Sequence, residues 1–235
     1  MKDRNMPNTI SIALIAVFAA LYTVLGFVPL FYIFGAYGQF ITASLILAPI
    51  IGIILGPVGG TLATIIGGIA GMYLTGNMPM GIFSFIPGVM DTLCVGLIFR
   101  KKWYISALIF GILIISFAML PSIGEAKYYI WFHTIALLTL LSPASNLSVD
   151  FIKSDDPQKI FLGVSILVFI GVLIDHITGS LLFQLLSPLP PQVWEGMAFV
   201  YPVERLLVTV LATIIGAGVV KAVLVSGLKI GKGLI

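Results

Sequence analysis

The sequence contains very little charge. Asp, Glu, Lys and Arg make up 9% of its 235 residues, whereas a typical soluble domain carries about 25%. Hydrophobic residues make up 60% of the chain, and its mean hydropathy is +1.17. So few charged side chains cannot cover a surface that faces water, which excludes an ordinary soluble domain. The apolar runs reach the length of about 20 residues that a helix needs to cross a bilayer.

Several chemical motifs are also missing. Cys94 is the single cysteine, which excludes a disulfide within the chain. No G-x-x-x-x-G-K-[ST] loop occurs, so the chain cannot hydrolyse ATP by itself. The motifs H-E-x-x-H and G-x-S-x-G and a zinc-type cluster of Cys and His are absent as well. We therefore predict no cofactor, no bound metal and no enzymatic activity. The sequence also lacks the short alternating segments of a membrane β-barrel.

What is present is a series of apolar segments separated by Gly, Pro and charged residues. They predict an all-α, polytopic helical membrane bundle that forms a single domain over residues 1–235. The sixth segment is the shortest and could instead form a re-entrant or interfacial helix. The longest polar stretch, residues 146–159, has the size of a loop. The eight segments are approximately 9–31, 40–56, 59–76, 80–99, 104–121, 128–142, 160–186 and 203–226.

The distribution of Lys and Arg predicts the orientation of this bundle, because cytoplasmic loops of membrane proteins are enriched in these residues. With a cytoplasmic N-terminus and eight spans, only Lys127 and Arg205 lie on the outer side. We therefore expect a multi-pass protein of a prokaryotic cell membrane with both termini in the cytoplasm. The net charge of +3 comes from these anchors and does not indicate a nucleic-acid partner. The residues assigned to the cytoplasmic side are Lys2, Arg4, Arg100, Lys101, Lys102, Lys153, Lys159, Lys221, Lys229 and Lys232.

Residues 56–76, GPVGGTLATIIGGIAGMYLTG, are rich in glycine although they are otherwise apolar. Small residues allow helices in a membrane to approach each other closely. Such a face predicts tight internal packing, and it could also slide or line a cavity. The turn GPVGG leaves almost no loop, so the second and third segments should pack as an antiparallel hairpin. The small residues form two rows with a spacing of four: Gly60, Thr64 and Gly68, and Ala63, Gly67 and Gly71.

The first segment carries a further row of small residues, formed by Ala13, Ala16 and Ala20. Such a row forms either a seam inside the bundle or an exposed face that meets another membrane protein. The residues alone do not decide between these two interpretations.

These features together resemble the substrate-binding S component of an energy-coupling factor (ECF) transporter. The similarity begins with a first segment containing Ala-x-x-x-Ala, an uncharged aromatic outer loop FYIFGAYGQF and a second segment ending in GPVGG. It continues with a third segment rich in small residues and a fourth segment that closes with GLIFRKK. The last segment, YPVERLLVTVLATIIGAGVVKAVL, is similar to the final helix of the family. S components usually have six helices, so six spans are the alternative to eight.

The resemblance implies the function of a substrate-capture subunit. S components bind a vitamin or another micronutrient from outside the cell. They associate with a membrane coupling subunit and two cytoplasmic ATPase subunits, and transport is thought to involve toppling of the S component in the bilayer. The resemblance further implies that Ala16 and Ala20 meet the coupling subunit, and that the loop after the first helix gates the binding pocket.

Three ionisable residues lie inside the apolar segments, where such groups are expensive and usually paired or functional. Asp91 lies near the middle of the fourth segment, and Asp175 and His176 lie in the seventh. Each is either a binding residue or a buried structural group. Because adjacent helical residues point about 100° apart, we do not expect Asp175 and His176 both to face one cavity squarely. A metal site is disfavoured because the other histidine, His133, lies in the uncertain sixth segment.

Polar and aromatic residues at the outer ends of the segments are further candidates. The aromatic outer loop could stack on a flat ligand, or it could form an interfacial belt. Arg205 suits a carboxylate or phosphate and Glu204 suits an amine, although both could simply anchor a helix end. Trp194 could likewise be an interfacial anchor. The predicted pocket lies in the outer half of the bundle, and its candidate residues are Tyr32, Tyr37, Gln39, Asn77, Asp91, Asp175, His176, Trp194, Glu204 and Arg205.

The favoured function is therefore capture of a small, flat, weakly charged micronutrient for an ATP-driven importer. One alternative is an intramembrane enzyme, which requires Asp91, Asp175 and His176 to converge within hydrogen-bonding distance. Another is a stand-alone secondary carrier or a scaffold protein. A carrier predicts an inverted repeat with broken helices, and the sequence shows no such repeat.

Overall fold

Apolar helices dominate the fold of residues 8–226, the part of the chain that the computed structural model describes. Lys2, Arg4, Lys229 and Lys232, which contributed to the predicted orientation, lie outside these residues. Two short strands, β1 (Pro29–Tyr32) and β2 (Phe40–Thr42), pair in an antiparallel hairpin. The helices are α1 (Asn8–Leu25), α2 (Ser44–Thr75), α3 (Ile86–Phe99), α4 (Trp103–Ala118), α5 (Trp131–Leu141), α6 (Ala144–Ile152), α7 (Pro157–Leu186), α8 (Pro191–Met197) and α9 (Tyr201–Val225). Short 3-10 turns lie at Gly81–Phe83, Pro121–Ile123 and Ala126–Ile130.

By length and composition, four described helical stretches are long and apolar enough to cross a membrane: α2 taken as one helix, Gly81–Phe99, α7 and α9. A fifth results if Ala126–Leu141 and Ala144–Ile152 form one span, although these two stretches are bent by 68° to each other. The helices α1 and α4 are apolar but shorter. The prediction of an all-α bundle of membrane type is confirmed, whereas the predicted count of eight spans is not.

The long helix α2 is broken at Gly56, which has φ 72° and ψ −176°. The chain folds back there, because the chain just before α2 meets the chain just after it: Asn77 Nδ2 donates to the Phe40 carbonyl at 2.8 Å. The first limb (residues 44–55) and the second limb (residues 57–75) therefore form the antiparallel hairpin predicted from GPVGG. Only glycine adopts this backbone conformation without strain.

We expect Gly56→Ala to lower the free energy of unfolding by about 1–3 kcal/mol, since a Cβ would strain this backbone conformation. Thermal unfolding of the purified chain in detergent measures the change. Gly111→Ala in α4 is the control, because a Cβ at Gly111 meets nothing within 4 Å. Equal melting temperatures for the two variants would argue against a strained turn at Gly56.

The fourth predicted segment packs into the α2 hairpin through glycines. A Cβ on Gly96 of α3 would lie 2.6 Å from the backbone nitrogen of Pro57, and a Cβ on Gly52 would lie 2.6 Å from the carbonyl oxygen of Thr92. The buried Thr92 hydroxyl donates to the Ala48 carbonyl at 3.0 Å. This hydrogen bond satisfies the hydroxyl where water is absent. The small residues therefore serve close backbone approach.

The inner face of α1 packs on the second limb of α2. A Cβ on Gly67 would lie 2.5 Å from the carbonyl oxygen of Ala19, and the Thr23 hydroxyl donates to the Gly67 carbonyl at 3.0 Å. The row formed by Ala13, Ala16 and Ala20 lies on the other side of α1 and is exposed. The interpretation of this row as an internal seam is therefore wrong.

Two helices lie where the sequence predicted loops. The polar stretch 146–159 contributes most of α6, whose Val149 and Ile152 are fully buried. The second, α8, lies in the proline-rich segment before the last span. Both helices are short, so their sequences lack the long apolar run on which the span prediction depended.

Basic residues gather at one end of the bundle. Residues 100–102 form the turn after α3, and Lys101 Nζ lies 2.8 Å from Asp150 Oδ1 of α6. Lys153 Nζ lies 5.3 Å from the centroid of the Phe99 ring. Because α3 ends here and α7 begins here, the start of α3 and the end of α7 lie at the opposite end of the bundle.

Candidate binding cavity

A cavity of about 210 Å³ lies at the end of the bundle away from the basic residues. Side chains from α1, α2, α3, α7 and α9 form its walls, and the β-hairpin and α8 border it as well. Residues of the α2 small-residue rows, Gly67, Gly68 and Gly71, contribute to the wall. Seven of the predicted binding residues line this cavity: Tyr32, Asn77, Asp175, His176, Trp194, Glu204 and Arg205.

The roof of the cavity is held by two amide side chains. Asn77 accepts from the Phe40 amide at 2.9 Å and donates to the Phe40 carbonyl at 2.8 Å, so it acts like a neighbouring strand. Gln39 accepts from the Met78 amide at 2.6 Å. The predicted binding role of Gln39 is not supported, because its side chain ties the hairpin to the chain after α2. Tyr37 at the hairpin tip is fully exposed and does not line the cavity.

Asp91 does not line the cavity either. It is fully buried in α3, and its carboxylate lies against α7, where a Cβ on Gly171 would touch Oδ1. Neither of its oxygens has a hydrogen-bond partner among the described residues. Asp91 is therefore buried away from the cavity, which does not support the predicted ligand contact.

Asp175 and His176 both line the cavity. The expectation was that they would not both face one cavity squarely, and a shared cavity wall is compatible with it. No hydrogen bond links Asp91, Asp175 and His176 to one another within residues 8–226. The convergence that an intramembrane enzyme requires is therefore not found in this trio.

Behind His176 lies a hydrogen-bonded cluster of aromatic side chains from four elements. His133 of α5 stacks on His176, with ring centroids 5.1 Å apart and an interplanar angle of 10°. Tyr129, from the turn before α5, and Tyr201, from the start of α9, are fully buried beside them. Sequence reasoning did not assign Tyr129, Tyr201 or His133 to the site.

With neutral imidazoles, a single arrangement of protons satisfies this cluster. The Tyr201 hydroxyl donates to the Tyr129 carbonyl at 2.7 Å, so its oxygen accepts from His133 Nδ1 at 3.2 Å. His133 Nε2 then accepts from His176 Nδ1 at 3.0 Å. His176 Nε2 accepts from the Tyr129 hydroxyl at 3.2 Å. The Ser180 hydroxyl in turn donates to the Tyr129 oxygen at 3.1 Å.

This arrangement has two consequences for the chemistry of the cavity. Each imidazole lone pair is engaged by a donor, so neither histidine has a lone pair free for a metal ion. No group of three or more His, Cys, Asp or Glu that could hold a metal occurs in the described part of the chain. Ser180 lines the cavity, and because its hydrogen is used, it offers only an acceptor to a ligand.

Trp194 is a wall of the cavity and not an interfacial anchor. It is 5% exposed, and its Nε1 donates to Gln184 Oε1 at 2.9 Å. The Gln184 side chain also donates to the Leu189 carbonyl and accepts from the Leu189 backbone amide. These two hydrogen bonds fix the chain that leads into α8. The proline-rich segment therefore folds inward and closes one side of the cavity.

Arg205 is the most unusual group in the cavity wall. It is 2% exposed, and its Nε and Nη1 atoms have no hydrogen-bond partner among residues 8–226. No carboxylate of the described residues lies within ion-pair distance of it. The neighbouring Glu204 is half-buried and also lines the cavity. The interpretation of Arg205 as a simple helix anchor is not supported, since an anchor would keep its charge in water.

Some residues of the site had a sequence signal that was not used. Ser180 follows His176 by four residues, which places both on one face of α7. Tyr22 is a polar group in an apolar segment, and it is 8% exposed in the cavity wall. Tyr129 and Tyr201 lie at segment ends, where tyrosine is also typical of a membrane interface.

These observations define a helical membrane protein with a cavity at one end of its bundle, lined by apolar and polar side chains. No protein-family model and no solved structure matches the chain. Over 166 residues the chain is 30% identical to Uncharacterized protein MJ0923 of Methanocaldococcus jannaschii. The alignment covers 70% of this chain, and it spans 56% of the length of that relative. The relative's name states no activity or ligand.

Proposed function

We propose that the protein is the substrate-capture subunit of an ATP-driven micronutrient importer. The observation that carries the proposal is the cavity with a buried Arg205, whose Nε and Nη1 have no hydrogen-bond partner among the described residues. An unpaired cation inside a membrane bundle is expensive, and a bound ligand that supplies the missing partner explains why it is present. Ligand sites in proteins are commonly such concave cavities with a few convergent polar groups.

The orientation of the cavity supports capture from outside the cell. The basic residues after α3 and around α6 lie at the end of the bundle opposite the cavity. The positive-inside rule places that basic end in the cytoplasm. The cavity then opens towards the outer side, and the β-hairpin covers it.

The exposed row on α1 supports docking to another membrane subunit. Ala13, Ala16 and Ala20 have no partner helix within the described chain, although small residues in a membrane favour close helix contacts. The sequence carries no nucleotide-binding loop, so ATP-driven uptake depends on separate ATPase subunits. The proposed partners are therefore a membrane coupling subunit and two cytoplasmic ATPases.

Purification of the tagged full chain from its native membranes tests this proposal. We expect a complex that contains one further membrane subunit and an ATPase pair, and ATP hydrolysis in this complex that drives uptake into liposomes. Uptake by the chain alone in liposomes, without any ATPase, would contradict the proposal and favour a stand-alone carrier. The enzyme alternative is not favoured, because Asp91 is separated from the cavity that Asp175 and His176 line.

The roof contacts predict how fast the ligand is released. Asn77→Ala removes both hydrogen bonds to Phe40, each worth about 0.5–1.5 kcal/mol. We expect the rate of ligand dissociation to rise about tenfold or more, because the hairpin opens more often. Stopped-flow or filter-based dissociation experiments measure the rate. Tyr37→Ala at the exposed tip is the control, and an equal effect of both variants would exclude a roof role for Asn77.

A further inference from the structure

We propose that the captured ligand is amphoteric: it presents an anionic oxygen group to Arg205 and N–H donors to Asp175 and Ser180. This inference rests on the proposed capture function and assigns the chemical class of its substrate. It is carried by the unmatched hydrogen-bonding groups that α9 and α7 contribute to the cavity wall.

The anionic group follows from the environment of Arg205. The guanidinium carries several N–H donors in a planar fork that matches a carboxylate or a phosphate. At least two of its nitrogens, Nε and Nη1, are buried without a partner within residues 8–226. Buried donors in native proteins nearly always have a partner, so the missing acceptors belong to the ligand.

The N–H donors follow from the residues that α7 contributes to the cavity wall. Asp175 lines the cavity and makes no hydrogen bond to any described residue, and an ionised carboxylate can only accept. In the arrangement with neutral imidazoles, the Ser180 hydrogen points to Tyr129, so Ser180 offers an acceptor to a ligand. A ligand that faces α7 must therefore supply the hydrogens.

Arg205 and Asp175 both line the cavity and do not form a direct ion pair. The salt bridge between Lys101 and Asp150 lies at the other end of the bundle, and no ion pair within 4 Å joins Arg205 to a carboxylate of the described chain. Opposite charges attract strongly where water is scarce, but without a direct ion pair both groups keep hydrogen-bonding capacity for a ligand. A molecule with an acidic end and an N–H end satisfies both groups at once.

The bound molecule of the wild-type chain tests the inference directly. The full chain is purified in detergent, denatured, and the released small molecule is analysed by mass spectrometry. Chemical methylation detects a carboxylate, and phosphatase treatment detects a phosphate. A proton–nitrogen correlation NMR spectrum of the molecule released from ¹⁵N-grown cells detects the hydrogens bound to nitrogen. We expect an acidic group of one of the two kinds together with at least one exchangeable N–H.

Two variants with matched controls test the assigned residues. We expect Arg205→Gln to weaken binding of the released molecule by at least about 30-fold, and Asp175→Asn to weaken it by about tenfold or more. Lys127→Gln and Glu125→Gln make the same charge changes at exposed positions outside the cavity, and we expect both to bind as the wild type does. Ligand-free Arg205→Gln should melt no lower than ligand-free wild type, because the guanidinium loses no partner.

The outcomes separate this inference from the proposed function. A released molecule without an acidic group, or unchanged binding in Arg205→Gln, overturns the amphoteric assignment and leaves capture intact. A lower melting temperature of ligand-free Arg205→Gln with unchanged affinity makes Arg205 structural and also overturns it. If the wild type releases no small molecule and retains none from a cell extract, the capture function fails and the inference fails with it.

Discussion

Replacement of Ala16 or Ala20 by tryptophan is expected to abolish ATP-driven uptake and leave ligand binding unchanged. Both residues are exposed on the outer face of α1, away from the cavity, so the bundle can accept a larger side chain there. A partner helix that packs closely on the alanine row cannot accommodate the tryptophan, since overpacking a close contact costs about 1–3 kcal/mol or more. Uptake should therefore fall at least about tenfold, as measured with the assembled transporter in liposomes.

The control for this prediction is Leu108→Trp on the outer face of α4, where Leu108 is 65% exposed. This variant places the same large side chain on the bundle surface at a distance from α1, and we expect normal assembly and uptake. Normal assembly of both Ala16→Trp and Ala20→Trp would show that α1 does not meet the partner.

Gly179→Phe is expected to remove ligand binding without unfolding the bundle. Gly179 of α7 lines the cavity, and a Cβ there would make only ordinary contact with Pro87 at 3.6 Å. A phenylalanine ring has space only in the cavity, which is about 210 Å³ in volume. We expect the affinity for the ligand to fall by about 100-fold or more, as measured by equilibrium dialysis.

Gly111→Phe provides a matched control, because Gly111 of α4 faces open space. It makes the same change outside the cavity and should bind ligand normally. Wild-type affinity in Gly179→Phe with an intact fold would mean that the ligand binds elsewhere on the molecule.

The helices and the α2 hairpin could be predicted because their signals are local. A glycine and a proline in succession at positions 56 and 57 are enough to break the apolar run. Charged residues between the apolar segments mark the ends of the other helices. The bend between α5 and α6 could not be predicted in this way. Its geometry depends on packing of Val149 and Ile152 against the rest of the bundle, which no local pattern reports.

The same distinction between local and long-range signals applies to the residues of the cavity. Asp175 could be proposed because charge in an apolar helix is rare and therefore informative, and Arg205 because its planar guanidinium at a segment end suits an anionic group. Gln39 was misjudged, since an amide side chain in a loop can bind backbone as readily as a ligand. Asp91 was misjudged because a charged residue in an apolar helix indicates burial inside the bundle, but not whether its side chain reaches the cavity. Tyr129 was missed because its partners come from distant positions in the chain.

Native mass spectrometry of the purified full chain tests the central claim most directly. The claim is that one small molecule is held in the cavity that Arg205 and Asp175 line. We predict a single small-molecule adduct on the wild type and on Gly111→Phe, and none on Gly179→Phe. An adduct of equal abundance on Gly179→Phe, or a wild-type chain that carries no adduct after incubation with a cell extract, would contradict the account.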